Sequence, residues 1–225
     1  MTIGDTMDLE TVDKLLTTTH SVRKRLDFTR PVEPEALETC ISIATHAPSG
    51  SNGQDWSFVV VTDAAKKNAV ADLYRKSWYA YAAARPSESA FVREHPNAAE
   101  KMGRIASSAQ YLADHMGESP VLVIPCIEGR TDNAPVMMQA AVFGSILPAA
   151  WSLMLALRAR GLGSAWTTLH LRYEKETADI LGIPYDTVMQ TALLPVAYYT
   201  GADFKPTDRL PAAPRTFWDT WGKTR

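Results

Sequence analysis

An α+β fold is what this sequence predicts, on three observations. Dense β-branched and aromatic runs of strand length are interspersed with longer patterns of helical period. Proline and glycine punctuate the boundaries between them. No repeat, linker or low-complexity stretch divides the 225 residues, so a single domain over 1–225 is the simplest organisation.

Leu9 to Thr17 reads as a short helix. HSVRKRLDFTRPV (20–32) is mixed and basic, the composition of a loop or extended turn. Pro34 opens a helix where proline is favoured, because its missing N–H would go unpaired there in any case. Leu37, Cys40, Ile41 and Ala44 form the apolar stripe of that helix, and Pro48 stops it. PSGSNGQ (48–54) is all turn formers and small polar residues. WSFVVVT (56–62) is a strand. Asp63 caps a helix running to about Ala84, since a side-chain oxygen there can accept from a first-turn N–H. Residues 85–95 read as irregular, and Pro96 to Met116 as helical again. VLVIPCI (121–127) is a second strand, bounded by Pro120. Pro135 to Arg160 is a long apolar helix, kinked at Pro148 and ended by Gly161 and Gly163. SAWTTLH (164–170) is a third strand, Tyr173 to Leu181 a helix broken by Gly182 and Pro184, and MQTALLPVAYY (189–199) a fourth strand. The segment from Thr200 to Arg225, rich in Pro, Arg and Trp, cannot form a core of its own and must lie on something. The count is about four strands and six helices.

Composition narrows the function. At 46% hydrophobic and 21% charged, the chain can bury a substantial core without disulfide or metal. A net charge of -2 gives no electrostatic footprint for nucleic acid or an anionic membrane. Cys40 and Cys126 form no CxxC pair and read as small buried hydrophobes. The five histidines (20, 46, 95, 115 and 170) show no ligand spacing, so no metal site is expected. The first residues, MTIGDTMDLETVDKLL, are polar and acidic, without the apolar core of a secretory signal, which makes a cytoplasmic location the expectation. Ala134 to Leu157 carries no charge and is long enough to cross a bilayer. Gln139, Ser145, Ser152 and Pro148 interrupt it, so it reads as the central helix of a soluble fold or a dimer face, not a membrane span.

Two clusters carry chemistry. HSVRKR (20–25) sets a hydroxyl and three cations in one loop, which suits phosphate because guanidinium donors match phosphate oxygens in a two-pronged way. Such a loop alone is also compatible with solvated surface. PSGSNGQ offers hydroxyls, amides and backbone N–H groups, and alone is also compatible with an ordinary turn. GxGxxG after a strand and GxxxxGK[ST] are both absent, which leaves the dinucleotide-fold and P-loop readings unsupported.

Taken together, four motifs make the chain resemble the flavin-dependent nitroreductase family from about residue 9 to about residue 222. They are HSVRKRLDFTRPV (20–32), similar to the family's S-x-[RK] phosphate segment; APSGSNGQDWSFVVVTD (47–63), similar to its A-P-[ST]-x-x-N-x-Q-x-W-x-F stretch; ARGLGSAWTT (159–168), similar to its flavin-side strand; and KPTDRLP (205–211), similar to its last arginine before a proline. The resemblance implies a mixed, mainly antiparallel sheet flanked by helices in an intertwined homodimer, with 200–225 as a tail wrapping the partner. It implies FMN as cofactor and NADPH or NADH as electron donor. Hydride then passes through flavin N5, ping-pong, to a small aromatic oxidant, a nitroaromatic or quinone. Reductive dehalogenation, alkene reduction, oxygen-dependent flavin cleavage and flavin binding without turnover are the alternatives on the same fold.

The resemblance also assigns residues. His20 and Ser21 fall where the family holds the FMN phosphate, and Arg23 where a basic residue reaches the phosphate or the N1/O2 edge. Arg209 falls on the phosphate-binding tail arginine, with Lys205 beside it. Pro48, Ser49, Gly50, Asn52 and Gln54 fall on the loop that contacts flavin and ribityl from the other subunit. Trp166 and Thr167 should lie along one flavin face, with the backbone N–H groups of Thr168 and Leu169 toward N5 and O4. Thr19 stands where many members carry an arginine, so Arg25, Lys205 or Arg215 would have to supply that charge. The N5 strand also lacks the proline-acid-glycine of some members. Trp78, Tyr79, Tyr81, Phe91 and Tyr111 read either as packing between surface helices or as a lid on which an aromatic substrate stacks.

Overall fold

An antiparallel five-stranded sheet carries the architecture, and its central strand is the most apolar run in the chain. The computed structural model describes residues 7–84 and 89–225. The strands are β1 (Trp56–Val61), β2 (Val121–Glu128), β3 (Leu162–Ser164), β4 (Val188–Gln190) and β5 (Leu194–Tyr198). The helices are α1 (Leu9–Thr18), α2 (Pro34–Ala44), α3 (Ala64–Ala83), α4 (Ala90–Glu94), α5 (Ala98–His115), α6 (Val136–Ala159) and α7 (Glu174–Leu181). The sheet order is β1-β2-β5-β3, with β4 also on β2, and each pairing is antiparallel.

β2 alternates strictly between two cores. Leu122, Ile124 and Cys126 face one cluster with Val70 and Tyr74 of α3 and Leu112 of α5. Val121 and Val123 face another with Leu37 and Cys40 of α2 and Leu153 and Leu157 of α6. A strand covered on both faces reads as a continuous apolar run, as VLVIPCI does. A side-chain cap starts α3 where the sequence places it: the Asp63 carboxylate accepts from the Lys66 N–H at 2.9 Å.

Several boundaries differ from expectation, each for a physical reason. The stretch 189–199 is two strands, because β2 carries Pro125 opposite the break. Proline has no N–H for the ladder, and the Pro125 carbonyl instead accepts from both the N–H (3.0 Å) and the hydroxyl (2.9 Å) of Thr191. The register slips by one residue across that bulge, from Cys126↔Gln190 to Val123↔Leu194. The third strand lies at Leu162–Ser164, not 164–170; Thr167 retains a single bridge to Leu193, and Leu169–Tyr173 closes into a 3-10 turn. Gly161, at φ +76°, ends α6 alone, while Gly163 lies inside β3. Helix α2 stops at Ala44, before Pro48, and α5 starts at Ala98. Within 85–95, expected to be irregular, α4 forms behind a Ser89 cap, while 85–88 lie outside the described residues.

Helix α6 runs through Pro148 without ending. It is apolar enough to cross a membrane by length and composition, with mean hydropathy 1.8 in its most apolar window. Its inner face, with Ser145, Ile146, Ala149, Leu153 and Leu157, is a floor of the core, packed on α2, β2 and β3. Its outer face remains uncovered: Met137 is 77% exposed and Trp151 36%.

Gly163 lets the segment after α1 lie directly on β3. A Cβ there would meet Val22 Cβ and Leu26 Cδ2 at 3.1 Å. Gly163→Ala is expected to destabilise the fold by about 1–3 kcal/mol, the usual overpacking cost. Urea unfolding of the two proteins checks this; equal midpoints would mean the segment moves aside freely.

Candidate functional site

Backbone hydrogen bonds lay residues 20–27 across the end of the sheet. The Val22 N–H donates to the Ser164 carbonyl at 2.8 Å, and the Trp166 N–H donates to Ser21 Oγ at 3.1 Å. Leu26 bridges Tyr199, the Asp27 N–H donates to the Tyr198 carbonyl at 2.7 Å, and the Thr200 N–H donates to the Arg25 carbonyl at 2.9 Å. The start of the tail is tied to the same place. Arg25 Nε donates to the Thr200 carbonyl at 2.7 Å, its guanidinium also reaches the Ala202 carbonyl, and it stacks 4.1 Å from the Phe204 ring centroid. Asp203 pairs with Lys14 at 2.7 Å and with Arg158. The Thr207 N–H donates to the Thr17 carbonyl at 3.2 Å.

This stitching forms a cleft of about 810 Å³ in which His20, Ser21 and Arg23 meet Lys205 and Arg209, joined by Arg25 and Arg104. Five residues from two distant motifs, all singled out from the sequence, thus share one cavity. The cleft is cation-rich. Its one carboxylate, Asp203, is held well below the usual carboxylate range, first by Lys14, then by the Phe204 N–H and Arg158. Arg23 is half-buried, and among the described residues no carboxylate pairs with it. Burial lowers its pKa, partly offset by Tyr74. Burial pushes the Tyr74 hydroxyl up to about 12, opposed by Arg23 and the Thr167 hydroxyl, so Tyr74 stays neutral. An unpaired, desolvated guanidinium is costly unless an anion joins it.

The other sequence assignments fall out differently. The Ser21 hydroxyl accepts from Trp166 and keeps its proton free to donate. His20 Nδ1 lies 2.9 Å from the Thr18 carbonyl, which can only accept, so that nitrogen carries the proton. Burial, and then the positive charges of Arg158, Arg25 and Arg209, lower the His20 pKa despite that bond. The neutral ring therefore offers the cleft an acceptor, not a phosphate donor, and braces Phe204 edge-on at 4.7 Å. Of the three suggested substitutes for the charge missing at Thr19, two are committed elsewhere: Arg25 to the tail backbone and Arg215 to Glu94. Lys205 remains.

Thr167 is buried, and its hydroxyl donates to the Leu193 carbonyl at 2.6 Å, while Trp166 is half-buried. The N–H groups of Thr168 and Leu169 have no protein acceptor among the described residues.

The 48–54 loop does not line the cleft. It lies against α6, where the Gly50 N–H donates to Ser145 Oγ at 2.9 Å. Ser51, Asn52 and Gln54 all hold left-handed backbone (φ 51°, 55° and 56°), a conformation that costs energy in non-glycine residues and concentrates at binding sites. Pro48, Asn52 and Gln54 are exposed and Ser49 is half-buried.

Of the five lid aromatics, Phe91 borders an apolar cleft beside the first. Trp78 is 8% exposed and its indole N–H donates to Gln110 Oε1 at 2.6 Å, so it packs α3 on α5. Tyr79 accepts from Gln110 and donates to Asp114, Tyr81 lies tilted on Trp78, and Tyr111 stacks on Phe28. Trp78 and Tyr79 thus sit on the α3–α5 contact. Arg104, Phe204 and the Arg158–Asp203 pair were missed; nothing in their local sequence marks a single cation or aromatic as cleft-facing.

The sequence model of the nitroreductase family matches residues 16–198. A curated relative, 5,6-dimethylbenzimidazole synthase from Rhodospirillum rubrum, is 27% identical over 143 residues, spanning 62% of this chain and 61% of that protein's length. Among solved structures, the FMN-dependent nitroreductase NfnB from Mycobacterium smegmatis in complex with NADPH superposes with TM-score 0.69 at 17% identity, covering 94% of this chain and 99% of that one. Iodotyrosine deiodinase bound to FMN and 3-iodo-L-tyrosine gives TM-score 0.68 at 21% identity over 92% of this chain and 100% of that one. A BluB-like flavoprotein from Clostridium difficile 630 gives 0.66 at 17% identity, covering 96% and 100%.

Immediately after Leu169, His170 is fully buried, with neither ring nitrogen hydrogen-bonded among the described residues. Burial pushes its pKa down to about 3. It stays neutral when folded, whereas unfolded it takes a proton below about 6.5. Stability is therefore full above pH 6.5 and falls as pH drops toward 3, by at most about 1.4 kcal/mol per pH unit from this group. His170→Phe should flatten that dependence between pH 6.5 and 5 in urea titrations. An unchanged slope would mean another group sets it.

Proposed function

The chain belongs to the nitroreductase family, and we propose that it is an FMN-dependent oxidoreductase passing electrons from NADPH or NADH to small aromatic oxidants such as nitroaromatics and quinones. The observation that carries this reading is the half-buried, unpaired Arg23 sharing a cleft with Ser21, Lys205 and Arg209. That donor set fits a phosphate dianion: one hydroxyl with a free proton and three cations with no carboxylate among the described residues. The whole chain acts as one domain, in a homodimer wrapped by residues 200–225, and a cytoplasmic location goes with this reading.

When bound, FMN supplies hydride acceptance and return at N5, so no side-chain nucleophile or base is required. Ser21, Lys205 and Arg209 hold its phosphate. Arg23, deepest among the cations and beside Tyr74, stabilises negative charge in the cleft, and fixed donors aimed at developing charge are commonly the largest catalytic contribution. The partnerless N–H groups of Thr168 and Leu169 orient the reacting edge. Pro48, Ser49, Gly50, Asn52 and Gln54 contribute from the partner, because within one chain they face away from the cleft.

The match to a 5,6-dimethylbenzimidazole synthase favours a second reading, oxygen-dependent cleavage of the flavin. NADPH oxidation by the purified protein, with and without a nitroaromatic, separates the two when flavin is assayed afterwards. Oxidation should need the acceptor and leave FMN intact. Consumption of FMN in air would establish the second reading instead.

Arg23→Ala and Arg209→Ala should each weaken FMN about ten- to a hundredfold, the value of a hydrogen bond to a charged group. Fluorescence titration of the deflavinated proteins reads this directly, and unchanged affinity in both would remove the phosphate assignment.

Met137→Glu places a charge on the open face of α6, where the side chain is already 77% exposed and folding should be unaffected. Sizing with light scattering should show a dimer become monomer, with FMN lost alongside. A monomer that retains full flavin would overturn the two-chain site.

A further inference from the structure

A second cleft, of about 710 Å³, opens beside the cation cleft and shares Arg104, Ile105, Thr207 and Arg209 with it. Its walls are largely apolar: Phe91 from α4, Met102 and Ile105 from α5, and Leu210 from the tail. The charged groups around it do not cancel. Lys101 and Asp208 form an ion pair, with His95 Nε2 3.0 Å from each, so together they contribute little net charge. Among the described residues Arg104 pairs only with Glu100, 3.6 Å away, with both side chains about two-thirds exposed (67% and 69%). Such a surface pair is weak and readily exchanged. Arg209 has no carboxylate partner among the described residues, and the phosphate of the neighbouring cleft accounts for it. One guanidinium, Arg104, is therefore left over at the junction of the two clefts.

From these features we infer that the apolar cleft is a binding subsite for an aromatic carboxylic acid whose carboxylate pairs with Arg104. This rests on the flavin oxidoreductase reading above. An apolar enclosure with a single surplus guanidinium at its edge matches a flat apolar body carrying one anionic group, because the guanidinium fork fits a carboxylate and the walls exclude water from the ring. A nicotinamide dinucleotide phosphate fits less well. Its sugar and phosphates are polar on all sides and would leave Phe91, Met102, Ile105 and Leu210 without apolar partners. Lys101 cannot take the role of Arg104 without breaking its pair with Asp208. The acid would lie directly beside the phosphate-binding cations, since both clefts share Arg104 and Arg209.

The probes are 4-nitrobenzoate and its neutral isostere 4-nitrobenzamide, titrated calorimetrically into the purified flavoprotein and into Arg104→Gln. The acid should bind at least about tenfold more tightly than the amide. Arg104→Gln should weaken the acid by about ten- to a hundredfold, the range for a hydrogen bond to a charged group, and leave the amide and the FMN content unchanged. Equal binding of acid and amide overturns the inference, as does binding of neither. Loss of FMN from Arg104→Gln makes Arg104 a phosphate ligand. A raised KM for NADPH but not NADH, with acid binding intact, makes it a nicotinamide-phosphate ligand. Calorimetry requires no turnover. A protein that binds the acid through Arg104 yet oxidises no NADPH or NADH with any acceptor therefore overturns the oxidoreductase reading while the acid subsite stands.

Discussion

The hydrogen bond from the Val22 N–H to the Ser164 carbonyl, at 2.8 Å, fixes where everything chemical in this chain can be. Residues 20–27 are not a strand, yet they lie between the end of β3 and the end of β5 and satisfy backbone groups of both. Trp166 donates to Ser21 on one side; on the other, Asp27 donates to the Tyr198 carbonyl and the Arg25 carbonyl accepts from the Thr200 N–H. Buried backbone groups must be paired, so the segment cannot shift along the sheet without stranding several at once. Gly163, with no side chain, lets it approach this closely. The cations at 23 and 25 inherit fixed positions from that pairing. Arg25 in turn holds the tail through the Thr200 and Ala202 carbonyls and so brings Lys205 and Arg209 opposite Ser21.

Division of labour among the cations follows from what each already touches. Arg25, Arg158 and Lys14 are consumed by Thr200, Ala202, Tyr199 and Asp203 and build the wall. Arg23, Lys205 and Arg209 have no protein anion among the described residues and leave the cleft positively charged. Arg23 is the energetically decisive member. An exposed lysine or arginine costs nothing to leave in water, whereas a half-buried guanidinium without a partner loses hydration that only a bound anion restores. His20 contributes by shape instead. Burial, and then three positive neighbours, lower its pKa despite the Nδ1 bond to the Thr18 carbonyl, and the ring supports Phe204.

Much of this was legible in the residues, and the failures have physical causes. The long helices and the paired runs 56–61 and 121–128 were read correctly because period, caps and β-branched content agree there. The stretch 189–199 looks continuous, and its break at Thr191 depends on Pro125, a residue more than sixty positions earlier and on another strand. Gly163 resembles a helix stop in sequence, and only its packing against Val22 and Leu26 shows that it belongs to β3. For the site, the two terminal motifs were assigned by the family resemblance rather than by composition, since a basic loop alone also suits solvated surface, and the fold brings both to one cleft. His20 was assigned to the phosphate by the resemblance; it lines the same cleft, and its tautomer is set by a backbone carbonyl that sequence does not display. The aromatic run on α3 and α5 carried the same ambiguity as any stripe at helical spacing, and tertiary packing settled Trp78 as core. Arg104 was invisible, since a lone arginine in a helix says nothing about which way it faces.

Two features unexplained within one chain share an explanation. The 48–54 loop holds three non-glycine residues in left-handed backbone, and such strain persists only where surrounding structure rewards it. Within the chain, the visible reward is the Gly50 bond to Ser145, on α6. Helix α6 is itself anomalous: its inner face closes the core while Met137 and Trp151 stand in water. In the proposed homodimer the uncovered face of α6 meets its counterpart, and the loop anchored on that helix is carried to the partner's cation cleft. The strain is then the cost of presenting Gly50, Asn52 and Gln54 across the interface. Burial of the apolar helix face stabilises the assembly on which that presentation depends, at roughly 25 cal/mol for each Å² removed from water. Assembly and cofactor binding become one equilibrium in that arrangement, because each cleft is finished only when a second chain closes it.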